Sequence, residues 1–170
     1  NSHPRLTERR WSAEIDASFM VSSPSPLRIT ELHYNPASHP GVADPQDLEF
    51  IELMNTGSET ISLNGVTIAD FAANPYTFTP GQTLAPGERI IVARNPILFQ
   101  QVYGGGFKLA PTGYANANFS NGGETVTLLD PQGLVIQQLL YSDSSPWPSG
   151  PDGGGPSLEV IDPLGDINDP

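Results

Sequence analysis

Short runs of alternating apolar and polar residues recur along most of this 170-residue chain, and turns rich in glycine and proline separate them. Alternation with a period of two predicts β-strands, because successive side chains of a strand point to opposite faces of a sheet. In the first run, strict alternation places Leu27, Ile29 and Glu31 on one face. Seven or eight strands are predicted, from the runs at 27–34, 48–55, 59–63, 66–70, 88–94, 124–130, 134–141 and 157–161.

Turn and cap residues indicate how these strands connect. Asn64-Gly65 lies between two apolar runs, which indicates a tight hairpin turn with a positive φ at one or both residues. A single segment, near 96–103, has a helical pattern, with Asn95 as cap, Pro96 at the first position and Gly104 at the end. The run at 48–55 is apolar on both faces, as in a central strand. The whole pattern predicts an all-β, antiparallel sandwich or barrel with one short helix.

The first 26 residues differ from the rest. Residues 11–21 alternate as a strand does, and Ser22-Ser23-Pro24-Ser25-Pro26 has the composition of a linker. We interpret 1–26 as an arm, or as the end of a preceding β domain with its linker. An exposed apolar strand tends to pair with another edge. Residues 11–21 are therefore expected to pack on the sandwich, or on a second copy of the chain as a dimer contact.

The order of motifs between Leu27 and about residue 162 resembles that of a known family. The motifs are LRITELHYNP from Leu27, DLEFIELMNTG from Asp47, ISLNGVTI from Ile61, LAPGE from Leu84, NGGE from Asn121 and a closing segment from Trp147 to Glu159. In this order they resemble the lamin tail domain in its bacterial form. Val66 departs from the family pattern, in which a tryptophan is expected at that position.

The resemblance implies an immunoglobulin-like β-sandwich over 27–162, followed by an acidic tail at 163–170. Bacterial domains of this kind are accessory modules of large proteins. The resemblance therefore implies a non-catalytic accessory or adhesion module of a secreted or cell-surface multidomain protein, in contact with protein or polysaccharide.

Charge and composition narrow the possible partners. Sixteen of residues 29–170 are acidic and only three are basic, and a surface with this balance repels phosphate, so no nucleic-acid partner is expected. No apolar run approaches the ~18 residues of a membrane span. The chain has no cysteine, which excludes thiol catalysis and thiolate metal sites.

Two glutamates are candidates for chemistry. Glu31 and Glu52 lie in the first two predicted strands and would share a face if those strands pair. A carboxylate pair can perform acid–base catalysis, so a hydrolase using Glu31 and Glu52 is one alternative function. Acids on the solvent face of strands are also common and limit aggregation. No nucleophile motif of the Gly-x-Ser-x-Gly type is present, and no catalytic residue is assigned.

Acidic clusters leave calcium open as a cofactor, since calcium takes six to eight oxygen ligands. Neither cluster matches the EF-hand loop pattern, and solvated loop acids are the simpler interpretation. The candidate ligands are Asp44, Asp47 and Glu49 before the second strand, and Asp162, Asp166 and Asp169 in the tail.

Loop aromatics suggest a second alternative function. Trp147 lies between Pro146 and Pro148, and Tyr76 and Tyr114 lie in predicted loops. Exposed rings of this kind stack on sugars, so the chain could be a carbohydrate-binding module that uses these three residues. The other interpretation of Trp147 is that it folds back and caps the core, which would bury about 200 Å².

Overall fold

Ten strands and one α-helix form the fold in the computed structural model, which describes residues 24–71, 75–114 and 117–170. A short 3-10 helix, Pro45–Leu48, precedes the second strand. The elements are β1 (Leu27–His33), β2 (Phe50–Asn55), β3 (Ile61–Ser62), β4 (Thr67–Ala69), β5 (Tyr76–Thr77), β6 (Thr83–Leu84), β7 (Arg89–Ala93), α1 (Pro96–Tyr103), β8 (Gly123–Leu129), β9 (Val135–Ser142) and β10 (Leu158–Glu159).

Two four-stranded sheets face each other. The first has the order β10-β1-β2-β7 and the second has the order β5-β4-β8-β9, while β3 and β6 form a small ribbon. Every pair of these strands is antiparallel. The predicted antiparallel β-sandwich with one short helix is therefore confirmed, and the predicted central strand, β2, lies between β1 and β7.

The core lies between the inner faces of the two sheets. Fully buried members include Ile29, Ile51, Leu53, Ile68, Val126 and Leu128. A bulge between Ile29 and Glu31 interrupts the alternation of β1. It keeps Leu32 buried on the same side as Ile29 and moves Glu31 to the outer face, so the strict alternation predicted for β1 is wrong beyond Ile29.

The turn at Asn64-Gly65 is tight, but it does not join a hairpin. Val66 N donates to Leu63 O at 2.9 Å, and Gly65 has a φ of 77°, as the sequence predicted. However, β3 before the turn pairs with β6, whereas β4 after it pairs with β5 and β8. The hairpin prediction is therefore wrong, because the chain crosses between sheets at this turn.

Helix α1 covers the outer face of the first sheet. Asn95 Oδ1 accepts from Leu98 N at 3.1 Å, Pro96 begins the helix, and Gly104 ends it with a φ of 83°, as predicted. Its buried Phe99 packs against Phe50 of β2 with the ring centroids 5.3 Å apart. A second, smaller apolar cluster forms there, consisting of Phe50, Ile91, Ala93 and Phe99.

Asn55 connects three chain segments at the end of β2. It is 0% exposed, and its Nδ2 donates to Glu59 O at 2.8 Å and to Leu84 O at 2.9 Å. Its Oδ1 accepts from Gly57 N at 2.9 Å. This side chain therefore satisfies backbone groups that no strand partner reaches.

The residues predicted as an acidic tail, 163–170, pack on the sandwich. Ile167 is 8% exposed and belongs to the main core. Asn168 lies along the edge strand β9, where its Oδ1 accepts from Leu140 N at 2.7 Å and its Nδ2 donates to Gln138 O at 3.2 Å. The predicted strand at 11–21, with its proposed dimer contact, lies outside the described residues. No helix in the part of the chain that the structure describes has the length and apolar character to cross a membrane.

Candidate functional site

Three carboxylates line up across the outer face of the first sheet. Glu31 of β1 lies opposite Glu159 of β10 on one side and opposite Glu52 of β2 on the other. Residues directly opposite on neighbouring strands have Cβ atoms about 5 Å apart, so Glu31 is a close neighbour of both other carboxylates. The expectation that Glu31 and Glu52 share a face is met, because their strands pair in this register.

Hydroxyl and guanidinium groups hold two of these acids in place. Glu52 Oε1 accepts from Thr30 Oγ1 at 2.7 Å and lies 3.0 Å from Arg89 Nε. Ser157 Oγ donates to Glu31 Oε1. The bulge in β1 brings Thr30 onto the same side as Glu31, which explains the contact between Thr30 and Glu52.

The environment of Glu31 disfavours its charged form. Burial raises the pKa of Glu31, the hydrogen bond from Ser157 lowers it, and the neighbouring carboxylates of Glu52 and Glu159 raise it further. Arg89 opposes the shift, but it has the smallest effect of these groups. Negative charge is therefore concentrated around Glu31, and Arg89 does not offset it.

Aromatic rings form a wall beside the carboxylates. Phe99 of α1 stands between Tyr103 and Phe107, with centroid distances of 4.8 Å and 5.6 Å. Tyr103 is 40% exposed and Phe107 is 48% exposed. Both rings are therefore partly exposed and contact the small apolar cluster through Phe99.

His33 contributes a buried polar ring to the same face. It is 4% exposed and contacts Phe50 edge to face, with the centroids 5.4 Å apart. Burial lowers the pKa of His33 to about 4, and the nearby Gly155 carbonyl opposes this shift. Neither ring nitrogen has a partner in hydrogen-bond geometry among the described residues. The ring is therefore neutral near pH 7.

These groups line three adjoining depressions that share Glu52, and we call them together the outer groove. Its middle part has a volume of 270 Å³ and contains Glu31, His33, Tyr103 and Phe107. It continues past Glu52 into a hollow of 340 Å³ beside Glu159 and another of 440 Å³ beside Lys108. The outer groove is defined by Glu31, His33, Glu52, Arg89, Tyr103, Phe107, Ser157 and Glu159.

Two of the three aromatics predicted to bind sugar are not available to do so. Tyr76 and Tyr114 are 6% and 5% exposed, and both belong to the main core. This corrects the prediction of a platform that includes these rings, because tertiary packing buries segments that look like loops in the sequence. Trp147 is half-buried against the main core, beside Leu139 and Leu158.

Replacement of Trp147 by alanine is expected to lower the free energy of unfolding by about 2 kcal/mol, roughly half the effect of a fully buried tryptophan. The physical reason is the loss of its contacts with the core beside the C-terminal residues. Urea unfolding followed by circular dichroism measures the change. An unchanged unfolding midpoint would show that the ring is not needed for packing, and Trp147 would then again be a candidate for contact with a ligand.

The first acidic cluster does not converge on one point. Asp44 and Asp47 lie 3.2 Å and 3.3 Å from Arg94 Nη1, so a cation of the protein itself stands between them. Glu49 is 0% exposed, and its Oε2 accepts from Phe119 N at 3.1 Å and from Tyr114 Oη at 3.4 Å. Burial raises the pKa of Glu49 to about 8, and Arg94 and the two hydrogen bonds oppose the shift.

The second acidic cluster is used locally. Asp162 Oδ1 accepts from Leu164 N and Asp166 Oδ1 accepts from Asn168 N, both at 3.0 Å, so each carboxylate caps its own turn. Within residues 24–71, 75–114 and 117–170, no three or more acidic or histidine side chains are grouped as a metal site. The structure therefore does not bring Asp44, Asp47 and Glu49, or Asp162, Asp166 and Asp169, together as a calcium cage.

The placement of Glu31 and Glu52 bears on the alternative of a glycoside hydrolase. The two residues occupy directly opposite positions on β1 and β2, and both line the middle part of the outer groove. Hydrolysis of this type uses carboxyl groups that flank the scissile bond. Glu52 Oε1 is also occupied by Thr30 and Arg89. This geometry suits binding better than bond cleavage.

Several residues of the outer groove were not anticipated from the sequence. Tyr103 and Phe107 flank the glycine run 104–106. Nothing in the sequence indicated a binding site there beyond an aromatic residue on each side of the helix end. Glu159 lies in the short run 157–161, and it joins Glu31 only because β10 pairs with β1.

The family model described as Lamin Tail Domain matches residues 20–143. The matched stretch ends before β10, whose pairing with β1 completes the first sheet. No curated protein matches the chain.

Proposed function

Because the chain belongs to the lamin tail domain family, whose immunoglobulin-like members are generally non-catalytic, we propose that it is an accessory or adhesion module of a larger secreted or surface protein of a bacterium. In this role the module attaches its parent protein to a protein or polysaccharide partner. Catalysis, if the parent performs any, resides in another domain.

The observation that carries this proposal is the outer groove. It joins half-exposed aromatic rings, at and after the end of α1, to hydrogen-bonded carboxylates on the face of a sheet. Binding sites combine apolar contact area with a few placed polar groups in this manner. The sheet also positions the carboxylates in advance, which lowers the entropic cost of binding.

The second candidate function is carbohydrate binding, for which we propose residues of the outer groove in place of the loop aromatics predicted from the sequence. Tyr76 and Tyr114 are buried, whereas Tyr103 and Phe107 present ring faces to solvent beside carboxylates that accept hydrogen bonds. A sugar ring could stack on these aromatics and donate its hydroxyls to Glu31 and Glu52. Polysaccharides are therefore among the partners to be tested.

Loss of the exposed Phe107 ring is expected to weaken retention of the chain on its partner about tenfold, as removal of an aromatic contact at a binding surface does. The chain is passed over a panel of immobilised polysaccharides and envelope proteins, as wild type and as Phe107→Ala. Leu134→Ala is the matched control, because Leu134 is an exposed apolar residue beside the second sheet, far from the groove.

The proposal fails if the two variants weaken retention equally, or if the wild type is retained by no member of the panel. Release of soluble sugar from a retained polysaccharide would instead support the hydrolase that the sequence left open. In that case Glu31→Gln and Glu52→Gln should each abolish the release.

A further inference from the structure

The charges of the outer groove are not balanced. Glu52 is paired with Arg89, whose side chain is 54% exposed, but among the described residues Glu31 and Glu159 form no ion pair. Lys108 at the far end of the groove is already 2.7 Å from Glu88. Two carboxylates in register on neighbouring strands repel each other, which costs stability unless a cation lies between them.

A second, independent observation also indicates a missing ligand. His33 is buried, the Gly155 carbonyl lies near its ring, and neither ring nitrogen has a partner in hydrogen-bond geometry among the described residues. It lies two residues after Glu31 on β1 and lines the same part of the groove. A buried polar atom without a partner costs about 1–3 kcal/mol, and a bound group that donates a hydrogen bond would remove this cost.

The aromatic wall suits a particular shape of ligand. Tyr103 and Phe107 expose ring faces next to the carboxylates, so a ligand contacts apolar surface along its length and negative charge at its end. A lysine or arginine side chain has this form, with an apolar stem and a cationic head. The head is also attracted by ring faces.

We propose that the outer groove binds a lysine or arginine side chain of a protein partner, with the cationic head between Glu31 and Glu159 and the stem against Tyr103 and Phe107. A hydrogen of the head is donated to a ring nitrogen of His33. This inference rests on the proposed function as an attachment module, and it names the chemistry of the partner.

A cation fits these observations better than a neutral sugar does. Sugar hydroxyls can donate to Glu31 and Glu159, but they add no positive charge between them. The net charge of −12 also favours a cationic partner, because its field attracts basic molecules and repels acidic ones before contact is made. The hollows on both sides of the middle part leave room for the residues that precede and follow the bound side chain.

Binding of two peptides with blocked, uncharged termini tests the proposal. The probes are acetyl-(Gly-Lys)₄-amide and acetyl-(Gly-Gln)₄-amide, measured by calorimetry at low and at moderate salt. The lysine peptide should bind and the glutamine peptide should not. Glu31→Gln combined with Glu159→Gln should weaken binding about tenfold or more, as expected when two charged contacts are lost.

The matched control is Glu59→Gln combined with Asp143→Asn, which removes the same charge from exposed sites outside the groove. This control should weaken binding less than about threefold, because separated surface charges are screened by salt. Phe107→Ala should weaken the lysine peptide as well. Unfolding midpoints of all variants show that each one is folded before binding is compared.

The outcomes separate this inference from the proposed function. Equal weakening by the groove pair and the control pair would overturn the inference, as would equal binding of the two peptides. If a polysaccharide binds in a manner that depends on Phe107 and the lysine peptide does not bind, the attachment module stands and the cationic partner is wrong. If no probe depends on Phe107, both proposals fail.

Discussion

Replacement of Asn55 by aspartate is expected to lower the free energy of unfolding by about 4 kcal/mol, since buried polar groups that lose their partners cost about 1–3 kcal/mol each. The substitution keeps the shape of the side chain but exchanges its two donors for an acceptor. The carbonyls of Glu59 and Leu84, which now accept from Nδ2, would face a carboxylate oxygen at 2.8 Å and 2.9 Å. The site is fully buried, so water cannot replace the lost donors.

Urea unfolding of the wild type and the variant at pH 7 measures this difference. Asn64→Asp is the matched control, because it exchanges the same amide for a carboxylate at an exposed position of a turn. The control should differ from the wild type by less than about 0.5 kcal/mol, as surface substitutions usually do. A variant at Asn55 as stable as the control would show that the three segments joined there do not depend on this amide.

Replacement of Glu49 by glutamine is expected to stabilise the protein more as the pH rises. Burial raises the pKa of Glu49 to about 8 from its ordinary 4.5, so the folded state favours the protonated carboxyl. Its contribution to stability is fully present below pH 4.5 and is lost as the pH rises towards 8. The loss reaches about 3 kcal/mol at pH 7, from 1.36 kcal/mol for each pH unit above the ordinary value. Glutamine keeps an acceptor for Phe119 N and does not ionise.

The measurement is the difference in unfolding free energy between Glu49→Gln and the wild type at pH 5, 6, 7 and 8. Taking the difference cancels the opposite contribution of His33, which is lost as the pH falls from 6.5 to about 4. Glu59→Gln, which makes the same substitution at an exposed position, is the matched control. A difference between Glu49→Gln and the wild type that stays constant over this range would contradict the predicted protonation of Glu49.

The larger elements of the fold could be predicted because they depend on local patterns. Alternation located the long strands, and Asn95, Pro96 and Gly104 located the helix, since capping and backbone angles act within a few residues. The bulge at Thr30 and the two-residue strands β5 and β6 were not predictable in this way. They are set by register and pairing between segments far apart in the chain, which a short window does not contain.

The same limit separates the predicted from the unpredicted parts of the outer groove. Glu31 and Glu52 were found because their two strands follow each other in sequence. Tyr103 and Phe107 take their place only when α1 docks on Phe50, so their exposure is a tertiary property. Tyr114 shows the reverse case, since an aromatic in an irregular segment became part of the core.

Slow hydrolysis of the Asn168 side-chain amide is expected to change the behaviour of the protein in storage. Its amide occupies the position of a neighbouring strand along β9, with one donor and one acceptor engaged. Hydrolysis of that amide to a carboxylate would replace the donor that faces Gln138 O by an acceptor and loosen the last residues from β9. The uncovered strand would then offer unpaired peptide groups to other molecules. Aged samples should therefore self-associate before they lose their fold, and the modified residue should be enriched in the associated fraction.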